Sequence, residues 1–257
     1  GARWRNESLS PAAPRPRPQR MAEVNNLSTI LEIAKPIAHE SLSERVYRDL
    51  RELLIAGQLQ PGERLTLDAV ARALGTSHMP VREAMRKLAA ERVLEMLPNR
   101  AVRVPIMTRH RFREMLAMRK MLEGHAVAQA AALIDSDALS RARELNDAFC
   151  AEIRSSSPDA SELIRMNKAL HFTIYAACGN QVLLELIESL WLQVGPVINL
   201  DLRSGSRRIA EAPAAGCHTR LVSALAARDP EAARSALEDD LETAAVVILA
   251  GDGLEGP

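Results

Sequence analysis

Aromatic residues are scarce in this chain: Phe, Trp and Tyr together make up 3% of 257 residues. A core built on large rings is excluded, and the abundance of Ala, Leu, Arg and Glu favours helices packed by aliphatic side chains. Cysteine is equally sparse. Cys150, Cys178 and Cys217 are odd in number and widely spaced, which excludes a disulfide scaffold and predicts reduced, buried thiols in a cytoplasmic protein. No unbroken apolar run reaches the roughly 20 residues of a membrane span. Nor is a basic start followed by an apolar stretch and a small-residue cleavage site, so neither membrane nor export is expected. Paired Glu-x-x-His motifs are missing, as is any nucleophile set beside a base, so no enzyme activity is expected.

Net charge is absent overall, but charge is unevenly spread. Residues 41–105 carry eleven Lys/Arg against eight Asp/Glu, whereas residues 106–257 carry sixteen against twenty-one. A basic segment followed by an acidic one suggests two domains with different partners. Residues 1–40 begin GARWRNESLSPAAPRPRPQR, where Pro and Arg dominate and no hydrophobic period is visible. They read as a disordered basic arm, with Met21 a candidate natural start.

At residue 41 the pattern changes. Ser41 and Glu44 of SLSE form a capping box, and Leu42, Val46, Leu50, Leu53 and Leu54 then recur at helical spacing. QPGE at 60–63 is a turn, LDAVARALG a short helix ended by Gly75, and HMPVREAMRKLAAE a third helix that Ser77 caps and whose first turn accommodates Pro80. Leu94 and Met96 alternate with polar neighbours, as do Val102, Val104 and Ile106, across the turn PNR, which predicts a two-stranded hairpin. Three helices and a hairpin over residues 41–107 outline a winged helix-turn-helix.

In the third helix Val81, Met85 and Leu88 form an inward stripe, and His78, Arg82 and Arg86, four apart, form an outward one. A DNA-reading helix needs this layout, with donors aimed at guanine edges and phosphates. Ser77, His78, Met79, Arg82, Arg86 and, at the hairpin tip, Arg100 are the candidate DNA contacts. A solvated basic face is the plainer alternative. The stretch QPGERLTLDAVARALGTSHMPVREAMRKLAAERVLEMLPNRAVRV resembles the DNA-binding domain of the GntR family of bacterial transcription regulators. The resemblance implies that Ser77, Arg82 and the wing touch DNA. His78 departs from the family's usual Arg, and Ala101 from its usual Gly after the wing turn.

From residue 108 only helical patterns follow, over roughly 108–134, 136–154, 159–178, 180–203, 212–228 and 230–250. Short connections make them antiparallel neighbours, so residues 108–250 are expected to form an all-α bundle of about six helices, followed by a frayed tail at 251–257. The fold class expected is mainly α, a winged helix-turn-helix joined to this bundle.

In MNKALHFTIYAACGN, Asn167 and His171 share one helix face. His218 and Asp240 lie on two helices joined at the RDP turn, so all four side chains can converge inside the bundle. A hydrogen-bonded core histidine is the plainer reading. His110 reads as solvated and His125 as a possible pocket or core residue, while Cys217 should point away from its neighbour His218.

RKMLEGHAVAQAA (119–131), NKALHFTIYAACGN and CHTRLVSALAARDPEAARSALEDDL resemble the effector-binding domain of the FadR subfamily of the same family. That resemblance implies a divalent metal, Zn, Ni or Mn, on Asn167, His171, His218 and Asp240, with Asn in place of an Asp and Asp in place of a His. A metal-free polar pocket is the alternative, in which Arg119, Asn167, His171 and His218 bind the effector directly. Arg119 reads either as a clamp for a carboxylate or as an ion pair with Glu123. The expectation is a homodimeric regulator, more a repressor than an activator. It should bind a double-stranded, pseudo-palindromic operator under control of a small organic acid. A helical-bundle metalloenzyme with an accessory winged helix is the rival.

Overall fold

Ser41 starts the first helix, its hydroxyl accepting from the Glu44 amide at 3.1 Å. The other half of the expected capping box is not made, because the Glu44 carboxylate turns instead to Lys87 Nζ, 3.1 Å away. The structure is a computed structural model that describes residues 41–98, 101–203 and 207–256. The expected arm at 1–40, Arg100 at the hairpin tip and Pro257 of the tail lie outside the described residues.

Helices α1 (Leu42–Ile55), α2 (Leu67–Ala73) and α3 (His78–Ala90) pack with a small sheet of β1 (Arg64–Leu65), β2 (Glu95–Met96) and β3 (Val102–Arg103). The expected hairpin gains a third strand: β3 lies between β2 and β1, all antiparallel, with Leu65 opposite Val102 and Glu95 opposite Arg103. The Arg103 guanidinium holds Glu95 at 2.6 Å across the β2–β3 pair. Val81, Met85 and Leu88 are buried against Val46, Leu50, Leu54, Val102 and Val104, as their spacing predicts.

Thr108 caps α4 (Arg109–Leu133), its hydroxyl accepting from the Arg111 amide. The bundle continues through α5 (Ser136–Ile153), α6 (Ala160–Ala176), α7 (Gln181–Arg203), α9 (Pro213–Ala226) and α10 (Pro230–Ala250). One further short helix, α8 (Arg207–Glu211), falls between the helices expected at 180–203 and 212–228. Small residues on α4, among them Ala126, Ala130 and Ala131, let neighbouring helices come close, and Leu170, Ile174, Ile187, Leu221, Leu225 and Leu237 fill the core around them.

Helix α7 is, over Gln181–Leu200, long and apolar enough by length and composition to cross a membrane, with a mean hydropathy of 1.3. Ile187 and Trp191 on this segment lie in the bundle core, while Leu192 enters the core of the winged-helix half. Cys150, Cys178 and Cys217 are unpaired and buried.

Candidate functional site

Two places concentrate the polar chemistry: the outer face of α3 and a polar cluster inside the bundle. On α3, Ser77 is the N-cap residue by backbone geometry, but its side chain caps nothing. Its exposed hydroxyl and the free first-turn amides are therefore open to an anion. Met79 is 59% exposed. Arg86 is exposed and Arg82 half-buried. Both line a cleft of about 140 Å³ between α3 and the sheet, which Met96 and Val102 close from the strand side. Arg82 Nε is buried without a hydrogen-bond partner among the described residues. His78 does not stand free as the outward stripe suggested, since its Nε2 is 2.8 Å from Asp68 Oδ1 on α2.

Inside the bundle, His171 on α6, His218 on α9 and Asp240 on α10 meet. His171 Nε2 lies 3.3 Å from His218 Nε2 and 3.4 Å from Asp240 Oδ2, and His218 Nε2 lies 3.7 Å from Asp240 Oδ1. The two imidazoles are fully buried, while the Asp240 side chain keeps 13% exposure. The short Asp side chain thus reaches both histidines directly. Asn167, one turn before His171, lines the same cavity but makes no hydrogen bond among the described residues.

A second row of residues orients this group. The Tyr175 hydroxyl donates to Glu123 Oε2 at 2.6 Å, and Glu123 accepts from Arg119 Nε at 2.6 Å and from Arg119 Nη2 at 3.2 Å. Having spent its only proton on Glu123, the Tyr175 oxygen accepts from His171 Nδ1, 2.9 Å away. That assigns the His171 proton to Nδ1 and leaves the Nε2 lone pair facing Asp240. Burial lowers the His171 pKa against the pull of Asp240, so the ring is neutral. Burial pushes the Asp240 carboxyl up, but His218 and His171 outweigh it and hold it well below the usual carboxylate range. The His171 Nε2 lone pair can accept from His218 Nε2–H, 3.3 Å away, and a positive centre held between the two rings and Asp240 would relieve its repulsion with the carboxylate.

The donor set fits such a centre. Donors about 2.0–2.1 Å from one tetrahedral ion lie about 3.3–3.4 Å apart, and the separations here run from 3.3 to 3.7 Å. Among the described residues His218 Nδ1 is buried without a partner, so this second imidazole lacks the outer support that Tyr175 gives His171.

Of the two readings of Arg119, the structure forms the ion pair with Glu123. Arg119 is 6% exposed, its fork is occupied by Glu123, and its guanidinium stacks 5.1 Å over the Trp191 ring. The cavity beside it holds about 30 Å³ and is bounded by Arg119, Asn167, His171, Trp191, Asn199 and Asp240, among others. A second cavity of about 20 Å³ lies beyond Asn167, Asp240 and Ala244, which form the partition. His125 is exposed and belongs to neither pocket nor core. His110 is solvated and 3.5 Å from Glu114. Tyr175 and Trp191 were not anticipated. Tyr175 continues the Asn167–His171 stripe by one more step of four, a spacing that identifies it in retrospect.

The bacterial regulatory protein gntR family model matches residues 42–104, and the FCD domain model matches residues 114–243. The chain is 30% identical over 204 residues to the HTH-type transcriptional regulator McbR of Escherichia coli K12, covering 79% of this chain and 91% of that protein. It is 28% identical over 149 residues to the HTH-type transcriptional repressor GlaR of the same organism, covering 56% of this chain and 67% of the other. The solved structure of E. coli McbR/YncC superposes with a TM-score of 0.76 at 28% identity, covering 82% of this chain and 98% of that one.

Proposed function

The chain belongs to the GntR family of bacterial regulatory proteins, and from that premise we propose that it represses transcription as a homodimer, released from its operator by a small carboxylate. It is a DNA-binding transcriptional regulator with a FadR-type effector domain, not an enzyme. Two winged helices, one per chain, suit the two halves of a pseudo-palindrome. Met118 and Met121 leave an apolar strip exposed on α4, a suitable contact for a second copy.

The observation that carries the reading is the two-sided build of α3. Val81, Met85 and Leu88 are sunk in the core while Arg86 and Met79 face outward beside Arg82 and the open Ser77 hydroxyl. A forked guanidinium at Arg82 or Arg86 can take both acceptors of a guanine edge, which a lysine cannot.

The effector reading rests on the buried charge of the second site. With Arg119 and Glu123 cancelling and the His171 ring neutral, Asp240 supplies the buried negative charge of the set. His171, His218 and Asp240 would hold a divalent ion, with Asn167 beside them as a weak fourth ligand. Such an ion would supply a positive centre able to attract a carboxylate. Trp191, on which the Glu123-bound Arg119 stacks, would then form the far wall against the acid.

A gel-shift titration on operator fragments selected from random duplexes tests the DNA arm. Arg82→Ala and Arg86→Ala combined in one chain are expected to abolish the shift while the circular dichroism spectrum stays unchanged. Retained, salt-insensitive binding by the double variant would refute it. Light scattering tests the dimer, and a chain that remains monomeric at micromolar concentration refutes that part.

A further inference from the structure

The last carbonyls of α1 have no partners inside their own helix. Two of them are taken by α7. Asn199 Nδ2 donates to Ile55 O, and Arg203 Nε donates to Ala56 O at 2.9 Å. Gly195 lets the two helices touch: a Cβ there would lie 2.8 Å from Ile55 Cα. Positions 195, 199 and 203 are successive steps of four, so one stripe of α7 seats the DNA-reading half on the bundle.

The same turns of α7 wall the polar cavity, to which Trp191, Val194, Gly195, Ile198 and Asn199 all contribute. Asn199, 5% exposed, therefore stands in both places: in the cavity wall, and bonded to the end of α1. Pro196 lies between the two functions and removes one backbone bond from α7, so the helix yields most easily there. Space matters as well. About 30 Å³ holds one or two water-sized bodies. An acid of several atoms enters only if a wall moves, and the interrupted helix is the wall least able to resist.

We propose that Asn199 is the positioning residue that couples occupancy of the polar cavity to the seating of the DNA-reading half on the bundle. An occupant displaces Asn199 from Ile55 O, uncaps α1 and frees the winged helix to change its angle. The proposal rests on the effector reading above and adds the route by which that signal leaves the site. It also makes Asn199 a coupling element, in that its removal mimics the occupied state.

A double-mutant cycle on the full chain tests this without knowledge of the natural effector. Ala244→Leu introduces a permanent occupant from α10, on the opposite wall. Asn199→Asp keeps the side-chain shape and abolishes the donor. The readout is hydrogen exchange at the amides of Ala56, Gly57 and Gln58, which close the end of α1. Each single variant is expected to speed exchange there about tenfold, the equivalent of one lost hydrogen bond, while the amides of α3 keep their protection. The double variant should exchange no faster than either single one, because both remove the same contact.

Additive effects would make Asn199 a structural residue only and overturn the proposal. So would unchanged exchange at 56–58 in Ala244→Leu. Should Ala244→Leu fail to fold, saturating Zn²⁺ serves as the occupant, with binding read from the change in tryptophan emission. Asn199→Asp must then abolish any further change at 56–58, and persistence of that change overturns the proposal. Failure of the regulator reading shows separately, as a wild type that binds no duplex DNA.

Discussion

Tyr175 fixes the tautomer of His171: its hydroxyl is 2.9 Å from Nδ1 and has already given its proton to Glu123. Nε2 is thereby left unprotonated and aimed at His218 and Asp240. Burial and the neighbouring Glu123 push the Tyr175 pKa well up, so the phenol does not ionise near neutrality. Tyr175→Phe should leave the bundle folded but let the imidazole adopt the other tautomer. Zinc affinity, measured by chelator competition, is expected to fall about 10–100-fold, as for other lost outer partners of a ligating histidine. Unchanged affinity would mean that the relay has no part in metal binding.

Acid should release the metal and destabilise the empty site. Burial lowers the His171 pKa, so below the unfolded value of about 6.5 the unfolded chain takes up a proton that the folded chain refuses. The stability of the metal-free protein is therefore fully present above about pH 6.5 and declines as pH falls through the folded value. Asp240 acts with the same sign in a lower window, since its folded pKa is depressed and its contribution is lost as pH drops below the ordinary carboxylate range. Zinc retention is expected to be flat above about pH 6.5 and to fall below it. Elemental analysis after dialysis at stepped pH checks this, with His171→Ala as the empty reference.

Removing Glu123 should be among the most damaging single changes in the bundle. Arg119 is held against it by two bonds in a fully buried setting, and burial alone would pull the guanidinium pKa down if Glu123 did not raise it. Glu123→Ala leaves that charge unpaired, at an expected cost of about 3–5 kcal/mol by urea unfolding. Replacing both partners together, Arg119→Met with Glu123→Met, should recover most of the loss, because two apolar side chains need no counter-ion. Effector binding should not recover with it.

The winged helix was readable because its signals are local. Val81, Met85 and Leu88 repeat at helical spacing within one element, and Ser41 and Thr108 mark helix starts by residue type alone. Strand β1 was not readable, since Arg64 and Leu65 carry no alternation and pair only because β3 offers a free edge. The Arg119–Glu123 pair was visible at a step of four. Its burial was not, because Trp191 and Tyr175 cover it from helices distant in sequence. His78 looked free for the same reason, its partner Asp68 sitting on another helix. The contact of Gly195 and Asn199 with Ile55 joins segments some 140 residues apart and leaves no trace in either local pattern.

On the DNA side, Ser77→Ala and Arg86→Ala should separate by kind. The Ser77 hydroxyl caps nothing, so its loss should leave α3 intact and weaken all duplexes alike through a missing phosphate contact. Arg86→Ala should also lower the slope of log affinity against log salt by about one if the side chain meets a phosphate. A relaxed base preference at one operator position, at about 1–3 kcal/mol, marks a guanine contact instead. Gel shifts at three salt concentrations on matched and single-mismatch duplexes distinguish the two.

Gly195→Ala weighs two opposing effects at one position. Inside an exposed helix this change gains about 1 kcal/mol from propensity alone. Here the added methyl would meet Ile55 Cα at 2.8 Å, Leu54 O at 3.1 Å and Ile55 O at 3.2 Å, all backbone atoms that no rotamer change can move aside. Overpacking of this kind costs typically about 1–3 kcal/mol, so the expected net effect is a loss of up to about 2 kcal/mol, borne by the contact between α1 and α7. Local release should appear before global unfolding. The amides at 56–58 should exchange faster than in wild type while those of α3 and α6 do not. A variant more stable than wild type, with unaltered exchange at 56–58, would show that the two helices do not need their close approach.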